Sequence, residues 1–199
     1  LEIDGGPHTI PQAEFDRVAA CFVPPKLADI ADVAPAALQA SLDAQAAEHV
    51  MFGRWLKRNV HAHQNAQLRA VTLSFKRPGQ SPGDATSDQL IALADLVDKY
   101  SAGEARVTHD QNVVLPWVHA EDLHALWLAA RAAGFASANV HLLTDMIACP
   151  GGDFCALANA RSIPIAEAIT ERYQDLDELD DIGEICLLYT SPSPRDVEE

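Results

Sequence analysis

The stretch Val71-Thr-Leu-Ser-Phe-Lys76 decides the fold of this chain, because its apolar and polar side chains alternate. Alternation at every second residue is typical of a β-strand that buries one face. A segment rich in Pro and Gly follows at 78–83, and Thr86-Ser-Asp-Gln89 then has the pattern of a capping box that begins a helix. The apolar stripe of that helix consists of Leu90, Leu93, Ala94 and Val97. These residues therefore predict a strand followed by an amphipathic helix.

Further strands and a second helix follow in the chain. Strands are predicted at 104–109 and 112–117, and the short gap between them leaves room only for a tight turn. The second helix is predicted from Ala120 to Ala133, and a last strand from 138 to 143. The order βαββαβ predicts an α+β, ferredoxin-like fold in which both helices cover one face of an antiparallel sheet. The other face is expected to be available for a ligand.

The residues before 68 are rich in Ala and Pro, and their pattern is helical. Helices are predicted for 11–22 and 36–49, and the helical pattern continues through 52–60. The first helix is expected to bury the face formed by Phe15, Val18, Ala19 and Phe22. Cys21 lies beside this face, and we expect it to be a buried thiol.

Composition and charge exclude some classes of function. The chain has 199 residues, 48% of them hydrophobic, and 14 basic against 29 acidic side chains give a net charge of −15. This charge would repel a phosphate backbone, which disfavours nucleic-acid binding. The chain begins at Leu1 with neither a signal-peptide pattern nor an apolar run of membrane-spanning length. We expect a cytoplasmic fragment with no nucleic-acid or membrane partner.

The stretch Cys149-Pro-Gly-Gly-Asp-Phe-Cys155 has a composition suited to metal chemistry. Thiolates on a glycine-rich turn can approach an iron–sulfur cluster closely, and backbone amides of a helix opening after Phe154 would stabilise their charge. The spacing alone also permits buried structural thiols, half of a zinc site or a redox pair.

The residues around this pair are more specific than the spacing. The stretch 143–164 closely resembles the first cysteine pair of the sirohaem-containing nitrite and sulfite reductases. In that family a C-x5-C pair and a later C-x3-C pair hold a 4Fe-4S cluster, and the last cysteine also bridges to the sirohaem iron. The resemblance implies that Cys149 and Cys155 are metal ligands and that the cofactors are a 4Fe-4S cluster and sirohaem.

A second stretch, Arg106-Val-Thr-His-Asp-Gln-Asn112, resembles the family's Arg-x-Thr-x-x-Gln-Asn sequence. The resemblance implies contacts to the carboxylates of sirohaem or to the anionic substrate. The candidate cofactor-binding residues are Arg106, Thr108, Gln111 and Asn112. The same residue types also suit a tight turn whose side chains bind local backbone groups. His109 is expected to be a polar surface group, since the axial iron ligand of the family is cysteine.

Two histidines close together in the sequence are also candidates for a metal site, but we do not assign them to one. His61 and His63 would share one face of a strand, yet no acidic or cysteine partner lies nearby in the sequence, which favours a solvated connector over a metal site. No residue is assigned a catalytic role. Arg106 and Arg161 are the local contenders for the basic side chains that the family's reaction needs; the alternative for Arg161 is that it caps or salt-bridges its helix, which is predicted for 164–173.

The end of the chain departs from the family. From Cys186 onward the sequence looks like a translated sequencing adapter, so we expect a C-terminally truncated fragment with a non-native tail and do not count Cys186 as a ligand. Four segments are predicted: a helical connector between repeats at 1–67, the ferredoxin-like half-domain at 68–145, the start of the sirohaem/4Fe-4S-binding domain at 146–185, and the tail at 186–199.

The resemblance implies an oxidoreductase as the parent protein. An assimilatory sulfite reductase haemoprotein is expected, which reduces sulfite to sulfide with six electrons from ferredoxin or a flavoprotein reductase. The alternative within the family is nitrite reduction to ammonia. A rival from another class is a non-catalytic ferredoxin-like binding module whose cysteines are structural. A native C-x3-C motif soon after Ile185 would favour the reductase, and the fragment alone is expected to be inactive.

Overall fold

The computed structural model describes residues 10–22, 25–27 and 33–173, and it describes 186–187 by their backbone alone. The helices are α1 Gln12–Ala19, α2 Pro35–Glu48, α3 Val50–Asn59, α4 Ser87–Tyr100, α5 Leu123–Ala133 and α6 Ile163–Tyr173. The strands are β1 Val60–Ala62, β2 Leu68–Leu73, β3 Arg106–Val107, β4 Val113–His119, β5 Ile147–Ala148 and β6 Cys186–Leu187. Apart from 186–187, the predicted tail at 186–199 lies outside the described residues.

The main sheet has the strand order β1-β2-β4-β3, and each neighbouring pair is antiparallel. The two central strands pair over most of their length, from Leu68 opposite His119 to Leu73 opposite Val113. Their register shifts between Arg69 and Val71, as it does at a β-bulge. The short β3 pairs with the start of β4, so the turn between them lies at one end of the sheet.

One apolar core fills the space between the sheet and the helices. It includes Val71 and Leu73 from β2, Leu115 and Val118 from β4, and side chains of both covering helices. The helix residues in this cluster are Leu96, Val97, Tyr100, Leu123, Leu126, Trp127 and Ala130. Residues of the predicted connector, among them Trp55, join the same cluster. Removal of this much apolar surface from water stabilises the sheet and its helices as a unit.

The helix boundaries follow the predicted signals. Thr86 accepts a hydrogen bond from the Gln89 amide and the Gln89 side chain binds the Thr86 amide, which confirms the predicted capping box at the start of α4. Helix α5 ends at Gly134, whose φ of 85° lies in the left-handed region that glycine adopts at little cost. The predicted start of this helix at Ala120 is three residues early, because Ala120–Asp122 form a 3₁₀ helix and α5 begins at Leu123.

The predicted last strand at 138–143 is wrong. These residues form turns that lead into a 3₁₀ turn at Leu143–Asp145. The reason is that the free edge of β2 is already taken by β1, which pairs Val60 with Val71. The chain after α5 instead forms a backbone hydrogen bond just beyond the end of β2, where the Ser74 amide donates to the Phe135 carbonyl at 3.1 Å.

The expectation that one face of the sheet stays open is also wrong at the end of β2. Thr72, Ser74 and Lys76, predicted on the polar face, are 5%, 1% and 2% exposed. The side-chain amide of Asn59 covers this face by donating to the carbonyls of Thr72 and Ser137, at 2.9 and 3.0 Å. Polar groups can lie here because protein partners replace their water.

Helix α1 does not bury its apolar face. None of its residues is buried, and Phe15 and Phe22 are 59% and 77% exposed. Cys21 follows the helix and is exposed, so the prediction of a buried thiol is wrong. The Cys21 thiol instead donates to the Arg17 carbonyl at 3.5 Å. The sequence pattern identified an amphipathic helix but did not identify what it packs against.

A second, smaller apolar cluster lies after the half-domain. It consists of the buried residues Leu143, Met146, Ala148 and Ala166, with Ile169 and Tyr173 packed against it. The strand β5 pairs with β6 in parallel, with Ile147 opposite Cys186. No described helix is long and apolar enough to cross a membrane.

Candidate cysteine-loop site

The two candidate ligands lie at the start and in the middle of a loop between β5 and α6. We call residues 149–162 the cysteine loop. Cys149 directly follows β5, and Cys155 follows a 3₁₀ turn at Gly151–Asp153. Both cysteines are thiols of intermediate exposure, so they are accessible to a ligand without being fully solvated. Cys155 is tied to the turn, because its amide donates to the Gly151 carbonyl at 2.9 Å.

The turn depends on Gly151. Its φ is 57°, and a Cβ atom there would lie 2.6 Å from the Ser162 Oγ and 2.8 Å from the Ala160 carbonyl oxygen. Both contacts are shorter than real Cβ contacts, and one of them is with backbone. The other side of the loop is held by Gly152, whose amide donates to the same Ala160 carbonyl at 2.8 Å. Glycine is therefore required for the loop to fold back on itself.

Ser162 closes the loop beside the first cysteine. Its hydroxyl donates to the Cys149 carbonyl, and the same oxygen lies 3.4 Å from the Cys149 Sγ. The helix expected to open after Phe154 begins only at Ile163, so helix amides do not follow the second cysteine directly. Arg161 pairs with Asp153 at 2.7 Å within the loop, and α6 begins two residues after this arginine.

Gln111 connects the loop to the half-domain. Its side-chain Nε2 donates to the Ala148 carbonyl at 2.9 Å, and its Oε1 accepts from the Ala148 amide at 3.2 Å. The backbone of Gln111 has a φ of 56°, in the left-handed region. Both hydrogen-bonding groups of Ala148, the residue directly before Cys149, are thus bound by a single side chain.

Asn112 binds the residues that lead into the loop. Its Oδ1 accepts from the Phe75 amide at 3.0 Å, and its Nδ2 donates to the Asp145 Oδ1 at 2.8 Å. That carboxylate is fully buried and lies 3.2 Å from the Lys76 Nζ, which also donates to the Asp110 carbonyl at 2.5 Å. A buried charge pair needs such additional hydrogen bonds to offset its desolvation. The network joins the end of β2, the β3–β4 turn and the start of the cysteine loop.

The other two candidates lie on the outer side of the same turn. Thr108 closes the turn, because its amide donates to the Asn112 carbonyl at 2.9 Å and its Oγ1 accepts from the Asn112 amide at 3.1 Å. Arg106 has a side chain that is 60% exposed and lies 2.6 Å from the Glu104 Oε1. The hydrogen bond from the Trp117 indole N–H is the largest cause of a lowered pKa of the Glu104 carboxyl; burial opposes it, and the Arg106 guanidinium lowers this pKa further.

The histidines are separate from the cysteine loop. His109 is exposed and lies 2.8 Å from the Asp110 carboxylate. The His61 Nε2 lies 3.0 Å from the Thr72 Oγ1, and burial, followed by the nearby His141, lowers the pKa of His61. The His63 ring packs against Trp117 with centroids 5.3 Å apart.

The donor set of the loop fits one side of an iron–sulfur cluster. It offers two soft thiols of intermediate exposure on a tight turn that Gly151 allows to fold back against Ala160 and Ser162. Within the described ranges, no group of three or more His, Cys, Asp or Glu side chains could hold a metal ion. The loop therefore supplies at most part of a four-ligand set from the residues described.

Sequence reasoning missed three residues of this region. Lys76 was expected on the polar face of a strand, and Asp145 and Ser162 were assigned no role. Each one acts through a partner distant in the chain, such as the Lys76–Asp145 pair. Position 76 offered one signal, since a basic residue directly after alternating strand residues requires a partner if the strand is central.

Comparison with known proteins agrees with this architecture. Residues 63–133 match the nitrite/sulfite reductase ferredoxin-like half domain. Residues 63–133 of the chain therefore belong to the nitrite/sulfite reductase family. The predicted ferredoxin-like α+β fold of the half-domain is thereby confirmed. At the edge of the sheet beside β2, β1 lies where the strand predicted at 138–143 was expected.

Relatives within the nitrite/sulfite reductase family extend the match beyond the half domain. The chain is 28% identical over 138 residues to the chloroplastic ferredoxin–nitrite reductase of Oryza sativa, covering 68% of this chain and 22% of the relative. It is 31% identical over 140 residues to the chloroplastic enzyme of the same description from Zea mays, covering 66% of this chain and 24% of the relative. The ferredoxin–nitrite reductase of Synechococcus elongatus is 31% identical over 122 residues, which are 58% of this chain and 23% of that protein.

A solved structure supports the fold. The Mycobacterium tuberculosis NirA protein superposes with a TM-score of 0.50 at 22% identity, covering 67% of this chain and 24% of that one. At this identity the likeness concerns the fold. The chain spans less than a quarter of the length of the rice relative, and the parent family consists of oxidoreductases.

Proposed function

We propose that this chain is part of a sirohaem- and 4Fe-4S-dependent reductase of a small oxyanion, and that Cys149 and Cys155 bind the cluster. The observation that supports the proposal best is the cysteine loop, in which Gly151 brings two thiol-bearing residues onto one tight turn. The cluster would supply electrons one at a time to the haem iron. The remaining two thiolates come from residues beyond those described.

Nitrite is the substrate that the relatives favour. The three relatives named above are ferredoxin–nitrite reductases, which supports nitrite at least as well as the sulfite expected from the sequence. Nitrite reduction takes up six electrons and eight protons and gives ammonium and two waters. Ferredoxin is accordingly proposed as the electron donor. A flavoprotein reductase remains the alternative donor, and sulfite the alternative substrate of the same site.

The test is anaerobic reconstitution with ferrous iron and sulfide of the protein encoded by the complete reading frame. We expect a four-iron centre, seen by absorbance and by EPR after reduction, that is lost in Cys149→Ser and in Cys155→Ser. Cys21→Ser is the matched control. Cys21 is also a free thiol, but it is exposed and precedes α2, far from the cysteine loop in the sequence. Full cluster loading in both loop variants would contradict the proposal.

The 199-residue chain alone gives a second test. With two candidate thiolates in its cysteine loop, it is expected to form no stable four-iron centre and to show no reductase activity. The complete protein, produced in a host that makes sirohaem and then reconstituted with iron and sulfide, is next offered nitrite and sulfite separately with reduced ferredoxin as donor. A higher kcat/KM for sulfite would replace nitrite as the proposed substrate and leave the cluster assignment intact.

A further inference from the structure

Gln111 was expected to contact a cofactor, but its side chain is occupied by the backbone next to the first cysteine. Its amide nitrogen lies 2.9 Å from the Ala148 carbonyl and its amide oxygen 3.2 Å from the Ala148 nitrogen. We propose that Gln111 is a positioning residue, which fixes the backbone directly before Cys149 and thereby the direction of that thiol. This inference rests on the proposed function in one respect: it takes Cys149 to be a ligand of the cluster.

The chemistry of glutamine explains why this residue type is suited to the task. A primary amide carries a donor and an acceptor side by side, so it binds the N–H and C=O of one residue as a neighbouring strand would. Among the common side chains of similar length, glutamate lacks the donor and lysine lacks the acceptor. The contact therefore replaces a strand pairing that the short β5 does not receive from the main sheet.

The backbone around Gln111 is arranged for this contact. A non-glycine residue with a φ of 56° stores conformational strain, which persists only where its surroundings hold it. Gly83 leaves the space needed, because a Cβ there would lie 2.9 Å from the Gln111 Cβ. The turn is closed from both ends by hydrogen bonds between Thr108 and Asn112. The left-handed backbone of Gln111 and the absence of a Cβ at Gly83 together direct the side-chain amide of Gln111 toward Ala148.

A second contact from the same turn fixes an earlier point of the chain. Asn112 donates to Asp145, which is fully buried and paired with Lys76. Asp145 lies before β5 and Ala148 lies at its end, so the turn holds both sides of this strand. The Asp145 contact is buried, whereas the Ala148 contact is only partly buried. Gln111 thus holds the residue directly before the thiol-bearing Cys149, while Ser162 binds the Cys149 carbonyl that follows.

Hydrogen exchange measured by NMR on the 199-residue chain tests the positioning role without any cofactor. In Gln111→Ala the Ala148 amide loses its acceptor, and we expect its exchange to become about tenfold faster. Amides of β2, which lie in the main core, should keep their rates. In Gln111→Glu the acceptor remains, so the increase should be smaller. The matched control is Gln39→Ala, which removes an exposed amide that donates to Asp43 and should leave Ala148 unchanged.

A second readout follows the thiol itself. The alkylation rate of Cys149 by iodoacetamide, measured by mass spectrometry relative to Cys21 in the same molecule, should change at least about threefold in Gln111→Ala. An unchanged Ala148 exchange rate, or equal acceleration of Ala148 and the β2 amides, overturns the positioning role. An unchanged ratio of the Cys149 alkylation rate to the Cys21 alkylation rate also overturns the positioning role.

The two proposals fail separately. If Cys149→Ser retains the cluster in the complete protein, the proposed function fails while the Ala148 exchange result stands. If Cys149→Ser loses the cluster but Gln111→Ala leaves both Ala148 exchange and the EPR spectrum of the cluster unchanged, the positioning role fails alone. We expect Gln111→Ala to retain a cluster whose EPR spectrum is altered, because the thiolate is present but its direction is less defined.

Discussion

The half-domain and the cysteine loop are stabilised by different interactions. The half-domain buries a continuous apolar cluster in which Leu115 and Trp55 have no exposed surface. The cysteine loop has exposed apolar side chains, with Phe154 and Leu157 82% and 85% exposed, and is held by a glycine turn and side-chain hydrogen bonds. The contrast indicates that the half-domain, together with the connector residues that share its core, is stabilised by apolar burial, whereas the loop depends on a few polar contacts with it.

The largest expected effect tests the half-domain core. Leu115→Ala removes a fully buried side chain from the central strand β4 and leaves a cavity between sheet and helices. We expect the free energy of unfolding to fall by about 4 kcal/mol. Chemical denaturation followed by far-UV circular dichroism measures it.

The matched control for that substitution is Leu157→Ala in the cysteine loop. Its side chain is 85% exposed, so the free energy of unfolding should change by less than about 0.5 kcal/mol. Equal losses for the two variants would refute the division into a core-stabilised and a contact-stabilised region.

The second prediction concerns the boundary between the two regions. Lys76→Met removes one partner of a charge pair in which Lys76 and Asp145 are 2% and 0% exposed. The Asp145 carboxylate keeps the Asn112 amide but loses its countercharge, so we expect a loss of about 3 kcal/mol. Lys26→Met, at an exposed position, is the control for the change in net charge. A variant as stable as the wild type would mean that the pair is replaceable by apolar packing.

The third prediction is confined to the loop. In Gly151→Ala the new Cβ meets Ser162 and the Ala160 backbone, and the φ of 57° is strained for alanine, so we expect about 2 kcal/mol of local destabilisation. Hydrogen exchange should increase at 149–162 while the β2 amides keep their rates. Gly79→Ala is the control, since Gly79 has a φ of 75° but an open environment, and its cost is about 1 kcal/mol. A larger effect at Gly79 than at Gly151 would show that contacts with Ser162 do not define the turn.

Sequence alone predicted the half-domain well because its signals are local. The alternation from Val71, the capping box at Thr86 and the stop at Gly134 each depend on neighbouring residues, and the structure has strand, cap and helix end at these places. The strand expected at 138–143 failed because an edge of a sheet can be occupied by only one segment, and β1 competes for it. Such competition is a long-range property that periodicity does not contain.

The candidate site was predicted only in its residue types. Cysteine spacing and glycine content located the loop, and the Gln111-Asn112 pair marked an important turn. The partners of these amides could not be predicted, because Ala148 and Asp145 are more than thirty residues away in the chain. Buried polar contacts of this kind depend on tertiary structure. The residue types therefore indicated a site, but they did not indicate which groups Gln111 and Asn112 bind.

The smallest expected effect is a pH dependence on the half-domain side. Burial and the neighbouring His141 lower the pKa of His61 in the folded chain below its value in the unfolded chain. The unfolded chain therefore binds the proton more readily, and stability that is complete above the unfolded pKa, about 6.5, is lost progressively as the pH falls from there through the lower pKa of the folded chain. His61→Gln removes the titrating group and retains a possible hydrogen bond to Thr72. We expect its Tm to fall less than that of the wild type between pH 7.5 and 5.5, whereas above pH 7.5 the two proteins should differ by a constant amount. Parallel curves of Tm against pH over the whole range would show that His61 is equally protonated in the folded and unfolded chains. The hydrogen-exchange rates of the cysteine-loop amides should not change in His61→Gln.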